Sequence, residues 1–478
     1  MSLLAVAGAN SAVAAGYDID NSLKLESDNT EYLTYTPSST TNVKTWTFSC
    51  WAKRTELYNG SNSQHLFGHF TDGSNHTAFR FDDADVLELR NVVTGTTYEL
   101  KTDQVFRDTS AWYHIVIAFD TTQSTAADRT KVYVNGNQVT LSGTYTALNQ
   151  ITYINTSGDA MGVGTLAGFG NHFNGYMAEI HHIDGQQLAA SDFGETDSDT
   201  DIWKPKEYTG TYGSNGFYLD FEDSGSLGAD DSGNGNNFTL NNITSADQAT
   251  DTPTNNFAIY NQLIPKDEFE IYLGATRSKK TTTNRWRTMA STLAVANGKW
   301  YAEFQNSLYS TTGTARFVGV APASIFTETS AATGGYLGGS STETTDSIGY
   351  HSDNGQRYIN GSGAAYGDSW TTDEIIGVAL DMDNGYVYFS KNGTWQNSGD
   401  PTSGSSGTGG IALQLSDEAH YIAGSIYNSN AQLEVNYGGF TFISVASGNS
   451  DANGYGNFEY APPSGYYALC SKNLAEYG

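Results

Sequence analysis

An all-β, antiparallel fold divided into more than one domain is what this chain predicts, and three observations carry the prediction. Its 478 residues suffice for two or three domains, each able to bury a core of its own. Glycine is abundant at 52 and proline scarce at 8, amid recurring Tyr, Thr, Ser and Asn, a composition that favours short strands joined by turns. Apolar and polar residues alternate in segment after segment, and no stretch of the first half keeps a 3.6-residue period.

The first sixteen residues, "MSLLAVAGANSAVAAG", read as a small-residue arm. No Lys or Arg precedes the apolar stretch, as a signal peptide requires, and Gly8, Asn10 and Ser11 interrupt it well short of the roughly 18 apolar residues of a membrane span. Residues 17–200 are strand upon strand, as in "TWTFSCWAK", "AWYHIVIAFD", "KVYVNGNQV" and "FNGYMAEIHHIDG". Residues 201–262 shift to "LDFEDSGSLGADDSGNGNNFTLNN" and "DQATDTPTNNF", a Gly-, Asn- and Asp-rich connector with one short apolar strand. Alternation returns over 263–478 in "KWYAEFQ", "ARFVGVA", "DEIIGVALDM", "YVYFSKNG" and "AQLEVNYGGFTF". Cys50 and Cys470 lie too far apart for a zinc ribbon or disulfide framework and read as buried small hydrophobes.

Fifty-two acidic residues against 23 basic give a net charge of −29, which repels a phosphate backbone and argues against nucleic acid as a partner. The stretch "LDMDNGYVYFSKNG" has the D-x-D-x-G look of a calcium loop through Asp381, Asp383 and Gly385. Ile376, Val378, Leu380 and Met382 share one strand face, however. Asn384–Gly385 supplies a reversal, and Tyr386, Val387, Tyr388 and Phe389 stand where further ligands would be needed, so the stretch is a hairpin.

No catalytic constellation emerges, and the chain is expected not to be an enzyme. Glycoside hydrolysis needs two carboxylates projecting together, but Glu179 and Asp184 are separated by an odd number of positions and Glu179 reads as a strand-edge residue. Asp220 and Glu222 read as a solvated pair in the connector. The run Gly162, Gly164, Gly168, Gly170 misses both dinucleotide and Walker spacings and reads as a strand with close backbone approaches followed by a turn. No G-x-S-x-G elbow occurs. His65 and His69 share a strand face about 13 Å apart, too far for one ion. The stretch "GYHSDNGQRYINGSGAAYGDSW" places Tyr350, Tyr358, Tyr366 and Trp370 among Gly, Asn, Ser and Asp, as exposed loops do, and marks them as candidate binding residues.

With Trp46, Phe48 and Trp51, "WYHIVIAFD", "VYVNGNQV" and "FNGYMAEIHHIDG" in view, residues 17–200 resemble the laminin-G/concanavalin A-like group of jelly-roll modules. Many laminin-G-like modules hold calcium in loops, and the resemblance implies a candidate calcium site made from Asp72, Asn75 or loop carbonyls. Five pieces in order, "GKWYAEFQ", "RFVGVAP", "IIGVALDMDNGYVYFSKNG", "LEVNYGGFTF" and "FEYAPPSGYYAL", make the second half resemble a SPRY domain. No RING, B-box or coiled-coil segment accompanies it, which argues against a ubiquitin-ligase context. The whole is similar to laminin-G-plus-SPRY virion proteins of tailed bacteriophages, the connector and the ending "GYYALCSKNL" included.

The resemblance implies two tandem jelly-roll sandwiches. It also implies a non-enzymatic virion surface protein, a tail-fibre or other appendage subunit that binds host surface glycan or protein. The arm would join other virion proteins, and a homo-oligomer, in the form of a trimer, would suit a fibre. The alternative is an architectural capsid or tail decoration protein that recognises no receptor.

Overall fold

The structure, a computed structural model, describes residues 16–478 except 58–62, 264–268, 282–283, 309–314, 326–334, 341–344 and 442. Residues 1–15 of the expected arm lie outside the described residues. The chain forms two compact units, divided between Thr254 and Asn255.

The first unit opens with β1 (Ser22–Leu25), β2 (Tyr32–Tyr35), β3 (Thr45–Arg54), β4 (Gln64–Asp72), β5 (Asn75–Phe81) and β6 (Val86–Val93). It continues through β7 (Thr96–Val105), β8 (Trp112–Asp120), β9 (Thr130–Val134), β10 (Asn137–Gln138), β11 (Leu141–Gly143), β12 (Met161–Val163) and β13 (Gly175–Asp184). The shorter β14 (Gly194–Thr196), β15 (Trp203–Pro205), β16 (Phe217–Leu219), β17 (Thr239–Asn241) and β18 (Gln248–Ala249) complete it. One sheet runs β10-β9-β8-β3-β13-β1-β18 with β16 also on β13, and the other runs β11-β7-β6-β5-β4-β12-β2-β17. Alternate residues of the two sheets meet in one core, where Trp46 stacks on Phe119 at 5.0 Å and Phe48 on Phe67 at 4.4 Å.

The segment expected to be a connector belongs largely to this unit. β16 pairs with β13, β17 with β2, and β18 with β1 through Ser22↔Ala249 and Leu23↔Gln248. Strands of two or three residues are too short to display alternation, and the Asx-rich loop between β16 and β17 supplies the order instead. Asp230 accepts the backbone N–H groups of Tyr218 (2.9 Å), Ser232 (3.0 Å) and Asn236 (2.7 Å). The glycine run behaves as expected: β12 carries Gly162, and Gly168, at φ +90°, lies so close to Phe70 that a Cβ there would meet its carbonyl oxygen at 2.4 Å.

Glu179 departs from expectation. It lies in β13 between two paired neighbours, not at an edge, and is buried at a β-bulge with φ +47°. The tyrosine hydroxyls of Tyr17 (2.9 Å) and Tyr218 (2.7 Å) donate to its carboxylate. Asp220 is half-buried rather than solvated, and burial pushes its carboxyl up to about 6.

The second unit begins with β19 (Phe269–Tyr272), β20 (Arg277–Lys280), β21 (Arg287–Val295), β22 (Lys299–Leu308), β23 (Arg316–Pro322) and β24 (Ile348–His351). Next come β25 (Gln356–Ile359), β26 (Ser362–Ala365), β27 (Ile375–Asp381), β28 (Tyr386–Lys391) and β29 (Thr394–Trp395). It ends with β30 (Ile411–Ala412), β31 (His420–Ile426), β32 (Gln432–Asn436), β33 (Tyr467–Ala468) and the short helix α1 (Ser471–Tyr477). A nine-stranded sheet built around β20-β32-β22-β27-β28 packs its Trp300, Phe304, Val378, Leu380 and Val435 face against the six-stranded sheet β21-β31-β23-β24-β25-β26.

The D-x-D-x-G stretch is the hairpin expected of it, with Asp381 paired to Tyr386 and Gly385 at φ +75°. Asp381 is buried, accepts the Asn384 N–H at 2.9 Å and pairs with Lys299 at 3.0 Å. At the unit's ends Phe257 bridges antiparallel to Cys470, and Ala258 N–H donates to the Leu469 carbonyl at 2.9 Å. Cys50 and Cys470 are both free and buried.

Candidate functional site

Residues 350–370 are in part the meander β24-β25-β26, with Tyr366 and Trp370 in the non-strand segment that follows β26, and strand parity separates Tyr350 from Tyr358. Tyr350, Tyr366 and Trp370 point into the core around Phe389, with centroid separations of 5.3 Å for Tyr350–Phe389, 5.7 Å for Tyr350–Tyr366 and 6.4 Å for Tyr350–Trp370. Their exposures of 0, 6 and 1% remove them from any binding surface. The two tyrosine hydroxyls are tied into the core: that of Tyr350 donates to the Asp368 carbonyl, and that of Tyr366 accepts the Phe389 N–H at 3.2 Å.

Tyr358 is different. It pairs with Gly349 and therefore faces away from Tyr350, onto the outer face of the six-stranded sheet. There Phe317, only 2% exposed, is the hub of an aromatic patch. Tyr336 stacks on it at 4.8 Å and His351 at 4.5 Å, Tyr358 meets it edge-on at 5.3 Å, and Trp286 tilts against it at 5.0 Å. Tyr427 extends the patch, 5.3 Å from Trp286. All five rings around the hub are half-buried.

Register explains the gathering. His351 lies opposite Phe317 across β24 and β23, and a Cβ on Gly349 would come within 2.7 Å of the Phe317 ring, so that glycine makes room for it. At the rim the exposed Asn354 approaches His351 Nδ1 (3.0 Å), and its Nδ2 donates to the Tyr358 hydroxyl at 3.3 Å. Burial lowers the His351 imidazole below its ordinary range, which keeps the patch uncharged at neutral pH. Rigid rings bordered by amides and an exposed Arg285 supply contact area at small entropic cost, the chemistry by which proteins hold sugar rings and peptide faces.

Of the four expected binding residues, then, only Tyr358 stands at the surface site, and Trp286, Phe317, Tyr336, His351 and Tyr427 were missed. The signal was present as alternation in "ARFVGV" and "GYHSDNG", where every second residue faces outward.

Asp72 and Asn75 do come together, at the β4–β5 hairpin, but they do not fit a calcium ion. Asp72 accepts from Ser74 N–H (2.7 Å) and Asn75 Nδ2 (3.0 and 3.1 Å), which hold its carboxyl below the ordinary range. Asn75 Oδ1 takes the Thr94 N–H (3.1 Å) and the Tyr153 hydroxyl (2.5 Å). The oxygens are thus committed to a turn, and among the described residues no three His, Cys, Asp or Glu side chains converge as a metal site. His65 and His69 diverge to the carbonyls of Asn171 (3.1 Å) and Ala160 (2.8 Å). Nearby, Phe169 is 58% exposed beside Phe70, centroids 4.7 Å apart. No helix among the described residues is long and apolar enough to cross a membrane.

Fold and surface together define a tandem pair of antiparallel jelly-roll modules of the kind used for binding. Residues 27–188 match the concanavalin A-like lectin/glucanases superfamily, and residues 299–438 match the SPRY domain. No curated protein matches the chain. Among solved structures it is similar to the SPRY domain of human HERC1, at 15% identity over 37% of this chain and 96% of that one, with a TM-score of 0.28. It is also similar to a heptameric SAP-like pentraxin of Limulus polyphemus, at 17% identity over 36% and 80%, with a TM-score of 0.28. A Bacteroides ovatus protein described as carbohydrate-binding is similar at 16% identity over 47% and 59%, with a TM-score of 0.31.

Proposed function

We propose that this chain is a non-enzymatic recognition protein on the surface of a tailed-bacteriophage virion, a tail-fibre or other appendage subunit holding host surface glycan or protein. The Trp286–Phe317–Tyr358 patch is the observation that carries the reading, because an uncharged cluster of half-buried rings with an amide rim is suited to sugar or peptide faces. The pairing of a lectin-type module with a SPRY module supports a binding role, and the acidic charge suits a solvent-facing position. Residues 1–16 would join neighbouring virion subunits, and a trimer would multiply weak contacts through avidity.

The test is dose-dependent binding of the purified protein to candidate host cells, with blocking of adsorption by the parent virus. The double variant Trp286→Ala, Tyr358→Ala should bind at least about tenfold more weakly, roughly two aromatic contacts' worth, while keeping its melting temperature within a few degrees. A correctly folded parent protein that neither binds nor blocks would leave the architectural role, bracing capsid or tail, in its place.

A further inference from the structure

On the outer face of the nine-stranded sheet, between β20, β22, β27, β32 and the 444–460 segment, lies a cleft of about 520 Å³, within the size range of small-molecule sites. Its floor is Glu434, 1% exposed. Arg277 pairs with Glu434 Oε1 and the Ser307 hydroxyl stands beside the carboxylate, but Oε2 receives no hydrogen bond of ordinary geometry among the described residues. A buried carboxylate oxygen left in that state is costly, and burial raises the Glu434 carboxyl despite the adjacent guanidinium.

Three carboxylates line the cleft, those of Asp373, Glu434 and Glu459, against the one guanidinium of Arg277. The flanking lysines are committed elsewhere, Lys279 to Glu270 at 3.0 Å and Lys391 to Glu374 at 2.9 Å. The space therefore favours a cation. It does not favour a metal ion, since no three acidic or imidazole groups among the described residues converge on a point.

The remaining walls suit hydroxyl groups. Gln305 Nε2 donates to the Asp373 carbonyl (3.1 Å), leaving Oε1 as an acceptor. Asn392 Oδ1 accepts the Ile375 N–H (2.9 Å), leaving Nδ2 as a donor. Tyr460 contributes a half-buried ring. An anionic anchor, an amide donor, an amide acceptor and one aromatic wall match a hexosamine better than a bare alkylamine.

We propose that this cleft is a second binding site, distinct from the aromatic patch, which takes a protonated amino sugar with its ammonium group against Glu434 Oε2. The proposal does not rest on the patch or on the virion setting.

Calorimetric titration of the full chain at pH 7 with glucosamine, glucose, Nα-acetyl-lysine amide and calcium chloride tests it. Glucosamine should bind saturably and glucose at least tenfold more weakly, with Glu434→Gln lowering glucosamine affinity tenfold or more. Tyr460→Ala should lower it several-fold. Equal affinity for glucose, tighter binding of the lysine derivative or of calcium, or an unchanged affinity in folded Glu434→Gln overturns the proposal. Should Glu434→Gln fail to fold, unchanged affinity in Tyr460→Ala overturns it alone.

Discussion

Two neighbouring residues, Tyr350 and His351, show how much a single step along a strand decides. Tyr350 is wholly buried against Phe389, and His351 opens onto the surface patch. Replacing Tyr350 or Trp370 by Ala should therefore cost about 3–5 kcal/mol of stability, as for other large aromatic truncations in cores. Tyr358→Ala, at a half-buried position, should cost much less, and urea unfolding of the three variants separates the cases. Composition alone suggested that all four rings are exposed, because Gly, Asn and Ser flank them; parity separates Tyr350 from Tyr358, whereas Tyr366 and Trp370 turn inward beyond β26, where no strand period exists.

Glu303 is the second residue with a measurable signature. Burial pushes its carboxyl up to about 7, although the N–H groups of Tyr460 (2.7 Å) and Glu459 (2.9 Å) and the Tyr301 hydroxyl (3.1 Å) all donate to it. The native state thus holds this proton more tightly than the unfolded chain does. The stabilising contribution is complete below about pH 4.5 and is lost as pH rises to about 7, on the order of 2–3 kcal/mol. Urea titrations at pH 5 and 7.5 should show this loss in the parent and a flatter profile in Glu303→Gln; parallel profiles would contradict it.

At the scale of elements, the short strands of the Asn-rich segment matter more than their length suggests. β16 and β18 extend the sheet through β13 and β1, β17 closes the edge at β2, and Phe217, Leu219 and Phe238 enter the core. A fragment of residues 16–254 should fold with a cooperative thermal transition, and one ending at 200 should not, since it loses β15 to β18 and the core side chains of Phe217, Leu219, Phe221, Leu227, Phe238 and Ile243. Comparing their circular dichroism melts is decisive: a cooperative melt for the shorter fragment would show that the strands are dispensable. The long strands and the β27–β28 hairpin were legible because alternation runs over seven or more residues with an Asn-Gly reversal. Three-residue strands carry no period, and a bulge such as that at Glu179 breaks the parity on which face assignment depends.

Over the whole molecule, tandem β-sandwiches were legible from alternation and motif order, but the patch and the cleft were not, because both gather residues from strands far apart in sequence. Arg277, Gln305 and Glu434 meet only through β20-β32-β22 pairing. The ends of the units have a mechanical meaning of their own. In the first, β1 and β18 are antiparallel neighbours, so the incoming and outgoing chain leave the sheet at the same end; in the second, Phe257 and Cys470 stand in the same relation. Tension drawn along the backbone would load these hydrogen bonds one after another rather than together. Each unit would unzip from its closing seam at low force and re-close when the pull relaxes, lengthening under drag where a sheared sheet would hold until it snapped.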